Sequence, residues 1–429
     1  MLPVSSSELS LSERITATVE GDKGGVFFVY GYGGTGKTFL WRTLALSVRS
    51  REQIVLSVAS SGIASLLMSR GRTAHSRFHI PINLDESSMC HIRPDGDVAY
   101  LLKHTRLIIW DEAPMVHRHA FEALDRTFKD VLVDKSNLHS DGLFGGKVIV
   151  FGGDFRQILP VIPNGSRQEI IIGDAQIAKW LLDIGEGKVG GDNDGVATLQ
   201  IPSDLLITDC LDPIESLIQF VYPSVLERYM DRDYFSERAI LTPKNEVVHE
   251  INDRLLELFP GEPTEYLSSD SICQTEQVID SFQQELYSPD VLNGLKISGL
   301  PNHRLVLKVG VPIMLLRNID QQNGLCNGTR LQVTFLGKRV MEAEIISGAN
   351  VGTRTFIPRI TMIPSDKKIP FAFQRQQFPV AVCFAMTINK SQGQSLSKVG
   401  LFLKEPVFTH GQLYVALSIK RRGEDVNSR

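Results

Sequence analysis

The sequence predicts an α/β protein built on buried parallel sheets, with a smaller β-rich segment in its second half. Three observations predict it. Short apolar runs recur through the first half, and they are continuous rather than alternating. Each run leads through a glycine or acidic turn into a helix-like stretch, and the first leads into a phosphate-binding loop. Strands covered on both faces read as unbroken apolar runs, and parallel pairing requires crossover helices between them.

Val26-Phe27-Phe28-Val29-Tyr30 is the first strand, followed by the glycine loop and a helix from Phe39 to Arg49. Ile54 to Val58 is the second, after which Ser60-Ser61-Gly62 opens a helix reaching Met68. Leu107-Ile108-Ile109-Trp110 runs into Asp111-Glu112, and Val148-Ile149-Val150-Phe151 into Gly152-Gly153-Asp154. Residues 183–194 turn Gly/Asp-rich, an exposed excursion between domains. A second α/β pattern begins near Leu211, with Ala239-Ile240-Leu241 as a strand and Glu246 to Leu258 as a helix. Between about Lys296 and Gln377, short strands punctuated by Asn323-Gly324 and Asn327-Gly328 read as a small β-rich insertion. The expected division is therefore 1–182, an excursion at 183–200, and 201–429 carrying the insertion at about 296–377.

A chain of 429 residues exceeds what one core supports, and 42% hydrophobic with 22% charged residues excludes disorder. Cys90, Cys210, Cys273, Cys326 and Cys383 form no C-x-x-C pair, so neither a disulfide framework nor a zinc site is expected, and a reducing compartment fits. No apolar run approaches the roughly 18 residues of a membrane helix. Met1-Leu2-Pro3-Val4-Ser5 lacks the basic and apolar regions of a secretory leader, so none is expected. The net charge of −4 gives no global basic field, so any nucleic-acid contact would come from a locally basic cleft.

Gly31-Tyr32-Gly33-Gly34-Thr35-Gly36-Lys37-Thr38 meets every requirement of the eight-residue phosphate loop. Glycines let backbone N–H groups close around the phosphates of ATP, Lys37 reaches the β- and γ-phosphates, and Thr38 ligates Mg²⁺. Asp111-Glu112 ends an apolar strand, at the edge where open α/β sheets bind ligands. There Asp111 suits Mg²⁺ and Glu112 suits a general base for the attacking water. Gln157 follows the next strand and could read the γ-phosphate; by itself it is equally a solvated loop residue. Thr73-Ala74-His75-Ser76-Arg77-Phe78 suits phosphate contact with base stacking as well as it suits a plain surface loop. Thr387-Ile388-Asn389-Lys390-Ser391-Gln392-Gly393-Gln394 is polar and equally open.

In this order the segments resemble the motif series of the Pif-type (petite integration frequency) DNA helicases of superfamily one, in particular their plant and transposon-associated branch. The resemblance runs from about Gly24 to Ser418. It is carried by Gly31 to Thr38, Ala59 to Ala64, Thr73 to Pro81, Trp110 to Met115, Gly152 to Pro160, Gly310 to Asn318, Thr387 to Leu396, and Tyr414-Val415-Ala416-Leu417-Ser418. It implies two RecA-like domains with ATP and Mg²⁺ in the cleft between them. Single-stranded DNA would run across both, and hydrolysis would drive 5′→3′ stepping and unwinding at duplex junctions. Lys37, Glu112 and Gln157 are then catalytic, Thr38 and Asp111 hold the metal, and Gly62, Thr73, His75, Ser391 and Gln392 face DNA. The resemblance further implies work in DNA repair, recombination and telomere maintenance, a nuclear or organellar location, no membrane contact, and a monomer when free.

The chain departs from that pattern in three places. An L-N-x-x-Q segment, whose glutamine reads adenine, has no counterpart between Leu9 and Gly21. The family's N-x-R-L segment is missing where Ile172-Gly173-Asp174 passes almost directly to Trp180-Leu181-Leu182. The arginine closing the last motif is Ile419, followed by Lys420, Arg421 and Arg422; Arg238 is the other arginine that could take its place. An arginine finger is worth about 10³–10⁵ in rate. A second expectation therefore stands beside the first: an ATP- and DNA-binding remnant that does not unwind.

Overall fold

The computed structural model describes residues 6–21, 24–31, 35–132, 142–155, 157, 206–207, 211–272, 288–297, 299–348, 350–364, 373–405, 407 and 411–418. Contacts divide the chain into two compact units, Met1–Ile201 with Val407–Arg429, and Pro202–Pro406.

The first unit is a parallel sheet of β1 (Gly25–Tyr30), β2 (Ile54–Ala59), β3 (Arg72–Thr73), β4 (Thr105–Asp111) and β5 (Val148–Gly153). Among the described residues the spatial order is β1-β5-β4-β2-β3, and every pairing is parallel. Leu107, Ile108, Ile109 and Trp110 of the central β4 are all 0% exposed, which explains why the strand carries no alternation. One face packs under α1 (Ser6–Glu20) and α2 (Lys37–Arg49). Ile15 and Val19 there meet Trp41, Leu44, Ala45 and Val48, whose spacing makes one helical stripe. The opposite face is covered by α4 (Ala74–Phe78), α5 (Asp97–His104) and α6 (Arg118–Val131), with Ala120, Ala123, Leu124, Phe128 and Val131 of α6 joining Trp110 and Phe151 in one cluster, whereas Ala64 of α3 (Gly62–Leu66) packs on the α1–α2 side.

Two neighbouring glycines let this sheet close on its helices. A Cβ on Gly152 would lie 2.2 Å from the Trp41 ring of α2, and one on Gly153 would lie 2.3 Å from Cδ of Pro114. Glycine at the end of β5 therefore sets how near the phosphate-loop helix and the turn after β4 approach the strand.

The second unit has its own parallel sheet, in which β6 (Arg238–Thr242) lies between Ala385–Thr387 and Lys398–Leu401. Helices Pro213–Val221 and Asn245–Leu258 bury Leu217, Ile218, Val221, Ile251 and Leu255 against it. A five-stranded antiparallel sheet follows, in the order Arg354–Pro358, Val340–Ile345, Arg330–Leu336, Pro312–Leu315, Val380–Val382. Together with shorter sheets, the β-rich part runs from Thr264 to Val382, wider than the interval at which the sequence changes texture. The added strands, such as Thr264–Leu267, are too short to announce themselves by period. Its hub is the ion pair of Arg375 with Asp270, both side chains 0% exposed. Arg375 donates to both carboxylate oxygens and also to the carbonyls of Leu292, Leu295 and Pro301. No helix among the described residues is long and apolar enough to cross a membrane.

Candidate active site

Sheet order decides which loops meet. At the C-terminal edge of the first unit's sheet, the turns after β1, β5 and β4 lie side by side, and those after β2 and β3 continue the row. The described candidates of this unit fall on that edge, the one at which parallel sheets bind ligands.

The phosphate loop leaves β1 at Gly31, whose N–H donates to the carbonyl of Gly153 at the end of β5 (3.2 Å). A Cβ on Gly31 would lie 2.6 Å from Thr35 Oγ1, so only glycine lets the loop fold over itself here. Gly36 adopts φ 88°, a left-handed conformation natural to glycine, and caps α2 without any side-chain bond. The N-terminal end of α2 suits an anion through its backbone amides and the helix dipole. The Lys37 ammonium curls back to donate to the Gly31 carbonyl. Thr38 is the second residue of α2 and half-buried. These residues fit a Mg²⁺–triphosphate. Tyr32, Gly33 and Gly34 lie outside the described residues.

Asp111 is the last residue of β4, 8% exposed, and its Oδ1 accepts the N–H of Glu112 (3.0 Å). Glu112 follows at φ 53°, ψ 36°, so the chain leaves the strand in the left-handed region. Gln157 sits beyond β5, half-buried, with its N–H on the carbonyl of Asp154 (3.2 Å). Asp154 itself is 1% exposed and accepts the hydroxyl of Tyr414 (3.0 Å), which fastens helix Gln412–Ser418 to the first unit.

On the β2–β3 side, Ser61 caps α3 by accepting the Ala64 N–H (3.1 Å), and Gly62 opens that helix. Thr73 caps α4 through the Ser76 N–H (3.3 Å), so its hydroxyl has an intramolecular acceptor role. His75 is half-buried, and burial pushes its imidazole below the usual histidine range. Arg77, whose guanidinium burial and nearby Arg72 lower, keeps a buried Nε without a hydrogen-bond partner among the described residues. In the second unit Ser391 is 0% exposed and donates its hydroxyl to the Ile388 carbonyl (2.6 Å). Gln392 is half-buried, and its side-chain nitrogen has no partner among the described residues.

Two features escape sequence reading. Thr242, at the C-terminal end of β6, is 0% exposed, pairs in register with Thr387, and has a hydroxyl without a partner among the described residues. Lys390 follows the same edge, with burial lowering its ammonium pKa. A polar run and a strand-final threonine carry no pattern of their own; only the pairing of the strands brings them together. Arg238 is held by local contacts. It opens β6, at the sheet edge opposite Thr242, and its guanidinium rests over the Tyr234 ring (4.4 Å) while donating to the Tyr234 carbonyl (3.0 Å). Ile419 lies outside the described residues.

A family model described as PIF1-like helicase matches residues 4–179, and one described as DNA helicase Pif1, 2B domain, matches residues 290–336. The ATP-dependent DNA helicase Pif1 of Bdellovibrio bacteriovorus is 27% identical over 435 residues, covering 100% of this chain and 89% of that protein. The ATP-dependent DNA helicase PIF1 of Homo sapiens is 26% identical over 436 residues, covering 98% of this chain but 61% of that protein. Among solved structures, Bacteroides Pif1 bound to ssDNA superposes with TM-score 0.64 at 21% identity, covering 97% of this chain and 90% of that one. Pif1 helicase from Bacteroides in complex with ADP-AlF3 and ssDNA gives TM-score 0.61 at 21% identity, with coverage of 97% and 90%. At that identity the likeness shows the fold: two RecA-like domains with a β-rich insertion in the second.

Proposed function

Since the chain belongs to the PIF1-like helicase family, we propose that it is an ATP-dependent DNA helicase that moves 5′→3′ on single-stranded DNA and opens duplex junctions. The observation that carries this reading is the strand order β1-β5-β4, which sets the phosphate loop, Gln157 and the Asp111-Glu112 pair on adjacent turns of one edge. The relatives' descriptions support it: the Bacteroides proteins are described with ssDNA and with ADP-AlF3.

In this reading the loop from Gly31 to Thr38 holds the triphosphate, with Lys37 on its terminal phosphates. Thr38 and Asp111 would hold Mg²⁺, which when bound would offset phosphate charge. Glu112 takes the proton of the attacking water, and Gln157 orients that water against the γ-phosphate. Gly62, Thr73, His75 and Gln392 contact single-stranded DNA, and Ser391 supports that surface from inside. The protein acts as a monomer in the nucleus or an organelle, in repair, recombination and telomere maintenance. A second reading, a nucleotide- and DNA-binding relative that no longer unwinds, is favoured by one specific observation, isoleucine at position 419.

Lys37→Ala tests the nucleotide site without requiring turnover. Hydrogen bonds to charged groups contribute about 1.5–3 kcal/mol, so the affinity for a fluorescent ATP analogue with Mg²⁺ should fall by about tenfold or more. An affinity within about twofold of the unaltered chain would remove the phosphate-loop assignment.

A further inference from the structure

We propose that Ser60 is a positioning residue that couples the DNA-facing helices of the first unit to the Asp111-Glu112 pair; the proposal rests on the functional reading above. Trp110 immediately precedes Asp111 and is 0% exposed. Its indole N–H donates to the Ser60 hydroxyl (3.0 Å), a bond between residues fifty positions apart. The Ser60 N–H in turn donates to the carbonyl of Asp111 (3.1 Å). One serine therefore grips the end of β4 twice, once through its backbone and once through its side chain.

Ser60 is also joined to the other side of the site. The next residue, Ser61, caps α3 through the Ala64 N–H, and Ser65 closes that turn by donating to the Gly62 carbonyl (2.6 Å). The same indole lies against Phe78 (ring centroids 6.0 Å), the last residue of α4, which begins after Thr73 and contains His75. A shift of α3 is thus carried by Ser60 to the Trp110 ring and the Asp111 backbone, and a shift of α4 reaches the same ring through Phe78. Glu112, leaving the strand at φ 53°, is re-aimed by a small rotation there. Close packing makes such a chain of contacts move as a unit.

Alanine at position 60 removes the acceptor and keeps the backbone bond. Phenylalanine at position 110 removes the donor and keeps a ring against Phe78. Threonine at position 60 keeps the hydroxyl. The readout is the Kd of the full chain for a labelled oligothymidylate, by fluorescence anisotropy, with and without a non-hydrolysable ATP analogue and Mg²⁺. The ratio of the two is the coupling factor, and linkage makes it identical for nucleotide and DNA. The unaltered chain and Ser60→Thr should show a ratio differing from one by about fivefold or more. Ser60→Ala and Trp110→Phe should bring it to within about twofold of one while each ligand alone binds within about twofold of the unaltered chain. A purely structural role would move the separate affinities or the melting temperature and leave the ratio. Retention of the full ratio in Ser60→Ala, or a ratio of one in the unaltered chain, overturns the coupling alone. Failure of the unaltered chain to bind either ligand overturns the functional reading and the coupling with it.

Discussion

Ile419→Arg is expected to raise single-stranded-DNA-stimulated ATP turnover by at least about tenfold, out of a deficit of about 10³ or more relative to a family member that has the arginine. The final motif reads Tyr414-Val415-Ala416-Leu417-Ser418-Ile419, so its one departure falls on the residue that the family resemblance assigns to the γ-phosphate. Catalysis of phosphoryl transfer is positioning and charge stabilisation, and an aliphatic side chain contributes neither. Lys420 and Arg421 follow in sequence, but successive residues point in different directions. Arg238 is held over Tyr234 at the wrong end of β6. Steady-state turnover at saturating ATP, with and without oligothymidylate, checks the prediction. An unchanged rate would assign the deficit to the missing N-x-R-L segment instead.

The second large effect is on stability. Asp270→Ala should cost about 3–5 kcal/mol, because it leaves the guanidinium of Arg375 buried without its counter-charge. The three carbonyls that Arg375 also reaches, on Leu292, Leu295 and Pro301, fix it in place and deny it a route to water. Urea unfolding followed by fluorescence measures the loss, and a change below about 1 kcal/mol would place the pair among ion pairs of little consequence. The lesion lies in the β-rich part of the second unit, so nucleotide affinity at Lys37 should survive under conditions where the variant is folded.

Much of the first unit was legible because its physics is local. Unbroken apolar runs mark strands covered on both faces, and Gly36 and Gly31 sit where the chain must turn or cross itself closely. The place of Asp111 was legible because the apolar run before it ends there, which puts it at the C-terminal end of β4. What sequence could not supply was pairing. The order β1-β5-β4-β2-β3, the contact of Gly152 with Trp41 and the bond from Trp110 to Ser60 join residues distant along the chain, and no local pattern encodes them. Polarity was a poor guide to exposure. Ser391 belongs to a polar run yet is 0% exposed, its hydroxyl spent on Ile388. Arg238 opens β6, and its charge alone did not say which end of the strand it occupies.

In the proposed function, one sheet edge binds ATP for hydrolysis driven by single-stranded DNA. ATP turnover by the full chain, with and without oligothymidylate and with Lys37→Ala as the blank, tests it most directly. The expected result is slow turnover that rises on adding DNA and disappears in Lys37→Ala. Turnover indifferent to DNA, or undiminished by Lys37→Ala, would contradict it.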